Sequence, residues 1–211
     1  MSDPERDLID ALSAEAATDR PAEETPDIGI IMGSDSDVET MLTGGSRRGA
    51  YDALVDELGF AEVTDYDEVL TERFTFETYV VSAHRTPELM YAYADTAADR
   101  GLEVIIAGAG GKSADLPNMT ASIAYPVPVI GVPVQEKSID SVIGMPAGAP
   151  IVAVDAGKSF NAALFAAQIL ATDHPELRDR LVDFHDRQRT AVSETSRLLH
   201  ELGTAEFAER R

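Results

Sequence analysis

The stretch from residue 80 to residue 87, Val-Val-Ser-Ala-His-Arg-Thr-Pro, passes directly from a strand pattern to a helix start. Its two valines are typical of a buried strand, whereas Thr86 and Pro87 suit the cap and the first position of a helix. A hydroxyl, an imidazole and a guanidinium stand between them. Open α/β sheets bind ligands at the carboxyl ends of their strands. The stretch therefore predicts a titratable group, His84, beside an anion-binding group, Arg85, at such an end.

Strand and helix patterns alternate on both sides of this junction. Short apolar runs typical of strands occur at residues 27–32, 74–81, 104–107, 126–132 and 151–154. Patterns typical of helices occur at residues 87–100, 115–124, 157–171 and 175–202. About five alternations of this kind predict an α/β three-layer sandwich with a doubly wound parallel sheet.

The remaining segments suggest how the chain is divided. Residues 1–26 are rich in Ala, Glu and Asp, with little to bury, and predict a flexible acidic tail. Residues 27–172 form the expected catalytic domain, in which residues 43–75 read as a solvated, mobile insertion. Residues 173–211 contain an amphipathic helix, ended by Gly203, that should pack on the domain or on a neighbouring subunit.

Composition excludes several classes of function. The chain has 211 residues and no cysteine, which excludes disulfides and thiolate chemistry. Its net charge of −21 disfavours nucleic acid or anionic membranes as partners. No apolar run approaches transmembrane length, and the acidic start does not resemble a signal peptide, so we expect a soluble cytoplasmic protein. The excess charge is peripheral. It suggests surface adaptation of the halophilic kind, with an acidic interaction tail as the alternative for the N-terminal part.

Two further loops carry polar or glycine-rich sequences directly after strands. Residues 33–37, Gly-Ser-Asp-Ser-Asp, could cradle a phosphate or a ribose. They could equally serve only to cap a helix, since Ser36 and Glu39 have the spacing of a capping box. Residues 108–111, Gly-Ala-Gly-Gly, form a loop almost without side chains.

Several common site types are not supported. Two Gly-Lys-Ser triplets lack the earlier glycine of a P-loop, because Ile106 and Val152 stand there, and Ser113 replaces the third glycine of a dinucleotide fingerprint. There is no serine-hydrolase elbow. The other histidines, His174, His185 and His200, are expected at the surface, and we predict neither a metal nor a cofactor.

The three loops can converge on one crevice of a doubly wound sheet. Arg85 could then hold a phosphate, with Ser34 and Ser82 donating to it, and Asp37 could accept from a sugar hydroxyl. His84 would be the group suited to moving protons near neutral pH. The alternative is a structural histidine at a helix start.

At this point the motifs resemble those of the PurE family. The resemblance covers roughly residues 28–170 and rests on the ordered segments 33–37, 82–87, 105–111, 131–135, 145–148 and 161–170. It implies a flavodoxin-like fold, a homo-octamer and an activity in purine biosynthesis that needs no metal or cofactor. In that reaction a carboxyl group moves from the exocyclic nitrogen of an aminoimidazole ribonucleotide to C4 of its ring.

The resemblance also implies a role for each site residue. His84 would be the general acid and base, which protonates the ring as carbon dioxide leaves and later removes the C4 proton. The glycine loop would wall the slot that retains carbon dioxide. The implied substrate-binding residues are Ser34, Ser36, Asp37, Ser82, Arg85, Gly108, Gly110 and Gly111.

Three departures from the family pattern leave alternatives open. The region of residues 43–75 is longer than in the bacterial mutases of the family, and the stretch after Gln135 is shorter. Residues 112–119 add a lysine and place Asp115 where those mutases have a second histidine. The animal-type relatives, which add free carbon dioxide to aminoimidazole ribonucleotide, differ in this same loop. A carboxylase is therefore the alternative to a mutase, and a non-catalytic phosphate-binding module is a more distant one.

Overall fold

The strands of the chain form one parallel sheet. A computed structural model describes residues 3–45, 47–68 and 71–210. Its strands are β1 (Ile28–Met32), β2 (Ala61–Glu62), β3 (Thr75–Val80), β4 (Val104–Ala109), β5 (Val129–Pro133) and β6 (Val152–Ala153). Their order is β2-β3-β1-β4-β5-β6, and every pair is parallel. Without the two-residue β2, this is the order of a flavodoxin-like sheet, which confirms the predicted fold class.

Helices cover both faces of the sheet. They are α1 (Pro4–Ala16), α2 (Pro87–Asp95), α3 (Leu116–Ile123), α4 (Ile139–Ile143), α5 (Ser159–Leu170) and α6 (Pro175–Glu209). Because successive side chains of a strand point to opposite faces, Ile30 and Ile106 pack in the core under α5, whereas Ile31 and Ile105 pack in the core under α2 and α3. The result is the predicted three-layer sandwich.

The N-terminal segment differs from the flexible tail that its sequence predicts. Residues 4–16 form α1, which begins with Asp3 as its cap and Pro4 at its first position and packs against α2. Leu12 is completely buried in the core on that face. The sequence of residues 4–16 gives little indication of a stable helix, because its one buried leucine stabilises the helix only when α2 packs against it.

The predicted insertion is also more integrated than expected. Two π-helical segments, Glu39–Thr43 and Asp52–Glu57, lead from β1 to the short edge strand β2. Leu54, Leu58 and Phe60 are buried in the core under α5. The described part of residues 43–75 is therefore part of the helical layer and the sheet edge, rather than a solvated excursion, because its apolar residues meet those of α5.

The C-terminal helix has two distinct parts. Leu177 and Phe184 are buried, whereas Val192 is 70% exposed, so only the first turns of α6 pack on the domain. Helical geometry breaks at Gly203 (φ 76°, ψ 164°), where the sequence predicts the helix end, and a short helical piece follows. In the described part of the chain, no helix has the length and apolar character needed to cross a membrane.

Candidate active site

A cleft opens where the strand order reverses, at the carboxyl ends of β1, β3 and β4. Its volume is about 430 Å³. Ligands bind at this position in open α/β sheets because loops from neighbouring strands diverge there. The lining residues are Gly33, Ser34, Ser36, Asp37, Ser82, Ala83, His84, Arg85, Ala109, Gly110, Gly111, Ser113, Asp115, Leu116, Gln135 and Lys137. The predicted convergence of three loops is therefore present.

The loop after β1 forms a 3-10 turn, Asp35–Asp37, capped by Ser34. The Ser34 hydroxyl donates to Asp35 Oδ1 at 2.9 Å, and the Ser36 N–H donates to the same oxygen at 2.9 Å. These two bonds lower the pKa of Asp35. The loop thus presents two hydroxyls, Ser34 and Ser36, that lie 3.1 Å apart.

The capping box predicted for this loop does not form. Ser36 lies within the 3-10 turn, and its hydroxyl contacts Ser34 instead of a helix N–H. The following turn, which contains Glu39, is π-helical and shows no side-chain cap. The reason is geometric, because a capping box needs a regular first helical turn.

Asp37 is the buried acid of the cleft, with only 6% of its surface exposed. Burial raises the pKa of its carboxyl group, while the backbone N–H of Gly110 and the positive charge of Arg85 act in the opposite direction. This carboxylate therefore joins the loop after β1 to the loop after β4.

The loop after β3 places Arg85 over the carboxyl end of β1. Arg85 donates from its backbone N–H and from Nε to the Ser82 hydroxyl, at 3.2 and 3.4 Å. Its Nη2 donates to the Gly33 carbonyl at 2.9 Å. Thr86 precedes α2 as predicted, but its hydroxyl accepts from the Ser82 N–H at 2.9 Å and leaves the helix uncapped by a side chain.

His84 projects into the cleft with its side chain 59% exposed. Its Nε2 lies 3.0 Å from Asp115 Oδ2. Asp115 immediately precedes α3, and sequence reasoning noted it as a departure without naming it as a site residue. Lys137 and Gln135 were also missed, because only the packing of the loop after β5 brings them to the cleft.

The three predicted glycines separate into two groups. Gly110 and Gly111 line the cleft, but Gly108 does not. A Cβ atom built on Gly108 would lie 2.1 Å from Sδ of the buried Met41, beneath the site. The backbone of Gly108 supports the site instead, since its carbonyl accepts from the Gly33 N–H at 3.1 Å. The strand pleat explains the difference, because it turns Gly108 towards the core.

The other histidines lie outside the cleft. His185 and His200 are exposed, as the sequence predicts, whereas His174 is partly buried with its ring 5.2 Å from that of Phe74. Within residues 3–45, 47–68 and 71–210, no three His, Cys, Asp or Glu side chains are grouped so that they could hold a metal ion.

Comparison with known proteins assigns the family. The family model described as AIR carboxylase matches residues 27–191. The chain is 44% identical over 179 residues to the N5-carboxyaminoimidazole ribonucleotide mutase of Mycobacterium tuberculosis, covering 82% of this chain and 90% of that protein. It is 39% identical over 191 residues to the phosphoribosylaminoimidazole carboxylase of Schizosaccharomyces pombe, covering 88% of this chain and 30% of that protein.

Solved structures agree on the fold. The crystal structure of Treponema denticola PurE aligns with a TM-score of 0.60 at 23% identity, covering 84% of this chain and 98% of that one. At this identity the similarity shows the architecture alone. The family match and the sequence identities confirm the resemblance to PurE proteins, and the chain belongs to the AIR carboxylase family.

Proposed function

We propose that this protein carries out the carboxyl transfer of purine biosynthesis that converts N5-carboxyaminoimidazole ribonucleotide to 4-carboxy-5-aminoimidazole ribonucleotide. The observation that carries the proposal is that one cleft holds His84, Arg85, Asp37 and the bare backbone of residues 110–111 in a member of this family. This reaction needs an imidazole that transfers protons and a group that binds the phosphate. It also needs a hydrogen-bond acceptor for a ribose hydroxyl and a backbone surface without side chains against the substrate ring.

The substrate would be bound by its ribose phosphate. Arg85, fixed by Ser82 and by the Gly33 carbonyl, offers N–H groups in a planar arrangement suited to phosphate oxygens. The hydroxyls of Ser34 and Ser36, on the loop after β1, line the same cleft and would add donors. Asp37 would accept a hydrogen bond from a ribose hydroxyl. The imidazole ring would then lie towards His84 and Gly110.

His84 would transfer one proton in each direction. The bond between the exocyclic nitrogen and the carboxylate breaks, its electron pair stays on that nitrogen, and His84 gives its proton to the same nitrogen, because the net conversion adds one hydrogen there and removes one from C4. C4 then attacks the carbon dioxide. His84 takes up the proton that C4 loses, which restores the aromatic ring and the starting state of the enzyme.

The glycine wall would retain the carbon dioxide between the two steps. Without side chains, the backbone of Gly110 and Gly111 can approach a flat ring closely. Loss of carbon dioxide to solvent would leave aminoimidazole ribonucleotide as a dead-end product, so a closed apolar slot favours transfer over leakage.

The decisive experiment supplies the purified protein with the N-carboxylated ribonucleotide in the absence of bicarbonate. We expect the C4-carboxylated isomer. A protein that instead consumes aminoimidazole ribonucleotide only when bicarbonate is added is a carboxylase, the activity named for the S. pombe relative. A protein inactive with both substrates is a binding module. His84→Gln should lower kcat by about 10²–10⁴-fold, whereas His200→Gln on the exposed face of α6 should have no effect.

Assembly and environment follow as parts of the same proposal. We propose a cytoplasmic homo-octamer in which β6 and α5 contact another copy, because Val152 on the edge strand is 50% exposed and Phe165 is 37% exposed. Light scattering should give eight chains per particle, and Phe165→Glu should reduce that number.

We ascribe the net charge of −21 to adaptation to high salt, so molar KCl should raise the melting temperature.

A further inference from the structure

Asp115 occupies the capping position of α3 but does not cap that helix. Its side chain accepts no hydrogen bond from a helix N–H. Its two oxygens are used elsewhere: Oδ2 lies 3.0 Å from Nε2 of His84, and Oδ1 accepts from the Ser141 hydroxyl at 3.3 Å. A carboxylate at a helix start ordinarily binds the N–H groups of the first turn. The carboxylate of Asp115 is therefore turned towards His84 and Ser141 instead of its own helix.

The contact determines which nitrogen of His84 carries a proton. A carboxylate accepts hydrogen bonds and donates none, so Nε2 must be the donor. In the neutral ring the lone pair is then on Nδ1. Within the described residues, no hydrogen bond engages Nδ1, which leaves it available to substrate.

We propose that Asp115 is a positioning residue that holds His84 in the Nε2–H tautomer and makes Nδ1 the atom that exchanges a proton with the substrate. This inference rests on the proposed function for the identity of the reaction. In this role Asp115 acts on His84 alone and does not contact the reacting carbon of the substrate. In each cycle Nδ1 gives one proton and takes one back, while the proton on Nε2 stays on the bond to Asp115.

Two helices hold the carboxylate in place. Ser141 belongs to α4, and Asn118 of α3 donates from Nδ2 to the Ser141 carbonyl. The side chains of His84 and Asp115 are 59% and 42% exposed. Exposed pairs of this kind add little to folding stability. Removal of the carboxylate should therefore change turnover and leave the melting temperature nearly unchanged.

Three substitutions at one position test this role. Asp115→Asn keeps the size, but its amide can donate to Nε2 and move the ring proton to Nδ1, the wrong tautomer for a base. We expect kcat to fall by at least about tenfold more for Asp115→Asn than for Asp115→Ala, with KM within about threefold of the starting value. Asp115→Glu, which restores an acceptor, should recover more kcat than either. Equal losses, a milder loss for Asn, or a loss confined to KM would each overturn the proposal.

A spectroscopic measurement separates this proposal from the proposed function. Solid-state ¹⁵N NMR of protein labelled in its histidine rings reports the tautomer directly, whatever the size of the oligomer. The signals of His84 are assigned as those that are absent from the His84→Gln variant. We expect the Nε2–H form of His84 at high pH and its loss in Asp115→Asn. A dominant Nδ1–H form in the unmodified protein refutes the positioning role even if isomerisation is observed. If the Nε2–H form is observed but the protein catalyses no isomerisation, the tautomer assignment is supported and the proposed function is refuted.

Discussion

Arg85 reaches from the loop after β3 to the end of β1 and donates a hydrogen bond of 2.9 Å to the Gly33 carbonyl. This bond joins the two loops that would share the substrate phosphate. The Ser82 hydroxyl accepts from the same guanidinium, so two residues orient it before any ligand arrives. A preorganised cation loses less side-chain freedom on binding than a mobile one.

Replacement of this guanidinium tests the phosphate role. Arg85→Lys keeps the charge but replaces a planar set of donors by a point charge that cannot reproduce the same contacts. We expect KM to rise by about tenfold or more, which corresponds to about 1.4 kcal/mol or more of binding free energy, with a smaller change in kcat. Steady-state kinetics measure both values. Arg189→Lys, on the exposed part of α6, is the matched control; an unchanged KM for Arg85→Lys would mean that this residue does not hold the phosphate.

Gly108 and Gly110 should respond differently to the same substitution. Gly108→Ala places a Cβ atom against the buried Met41, so we expect a loss of about 1–3 kcal/mol in the free energy of unfolding. Gly110→Ala places a Cβ atom 3.1 Å from Asp37 Oδ1 within the cleft. It should raise KM and change stability by less than about 0.5 kcal/mol. Urea unfolding and kinetics of both variants decide this, and a reversed pattern would contradict the assignment.

The docking of α1 can be measured at two leucines of one helix. Leu12 is completely buried and Leu8 is 39% exposed. Leu12→Ala should lower the free energy of unfolding by about 2–4 kcal/mol, whereas Leu8→Ala should change it by less than about 0.5 kcal/mol. Similar small effects at both positions would indicate that the segment is a flexible tail after all.

Asp27 should make stability depend on pH. It lies just before β1 with 3% of its surface exposed, accepts from the Thr75 N–H at 2.6 Å, and lies 3.5 Å from Arg73. Burial raises the pKa of its carboxyl group to about 6. An acid whose pKa is higher in the folded state contributes stability that is full below its unfolded pKa, about 4, and is lost as the pH rises through 6.

Asp27→Asn removes this titration. The stability of the variant relative to the unmodified protein should therefore rise between pH 4 and pH 7, by up to about 3 kcal/mol for a shift of about two units. Urea unfolding at several pH values gives the difference between the two curves. Asp19→Asn, at an exposed position, is the control. Parallel curves for the Asp27 variant would show that this carboxyl group does not titrate in that range.

Much of the fold could be predicted because its signals are local. The apolar runs at residues 27–32 and 104–107 and the helix start at Thr86 and Pro87 match β1, β4 and the beginning of α2 closely. Parallel strands covered on both faces need continuous apolar sequence, which is visible without a partner. The convergence of Ser34, Asp37, His84 and Arg85 follows from where their strands end.

Packing decided the features that lack a local signal. Leu12 makes α1 part of the core only because α2 lies opposite, and Leu54, Leu58 and Phe60 belong to the core only because α5 covers them. The strand pleat turned Gly108 away from the cleft. Asp115 meets His84 across 31 residues of sequence, and no periodicity encodes that contact. Sequence alone thus predicted most of the strands and placed His84, the proposed proton carrier, at the end of one of them. The tertiary structure determined what lies against each of them, because those contacts join residues far apart in the chain.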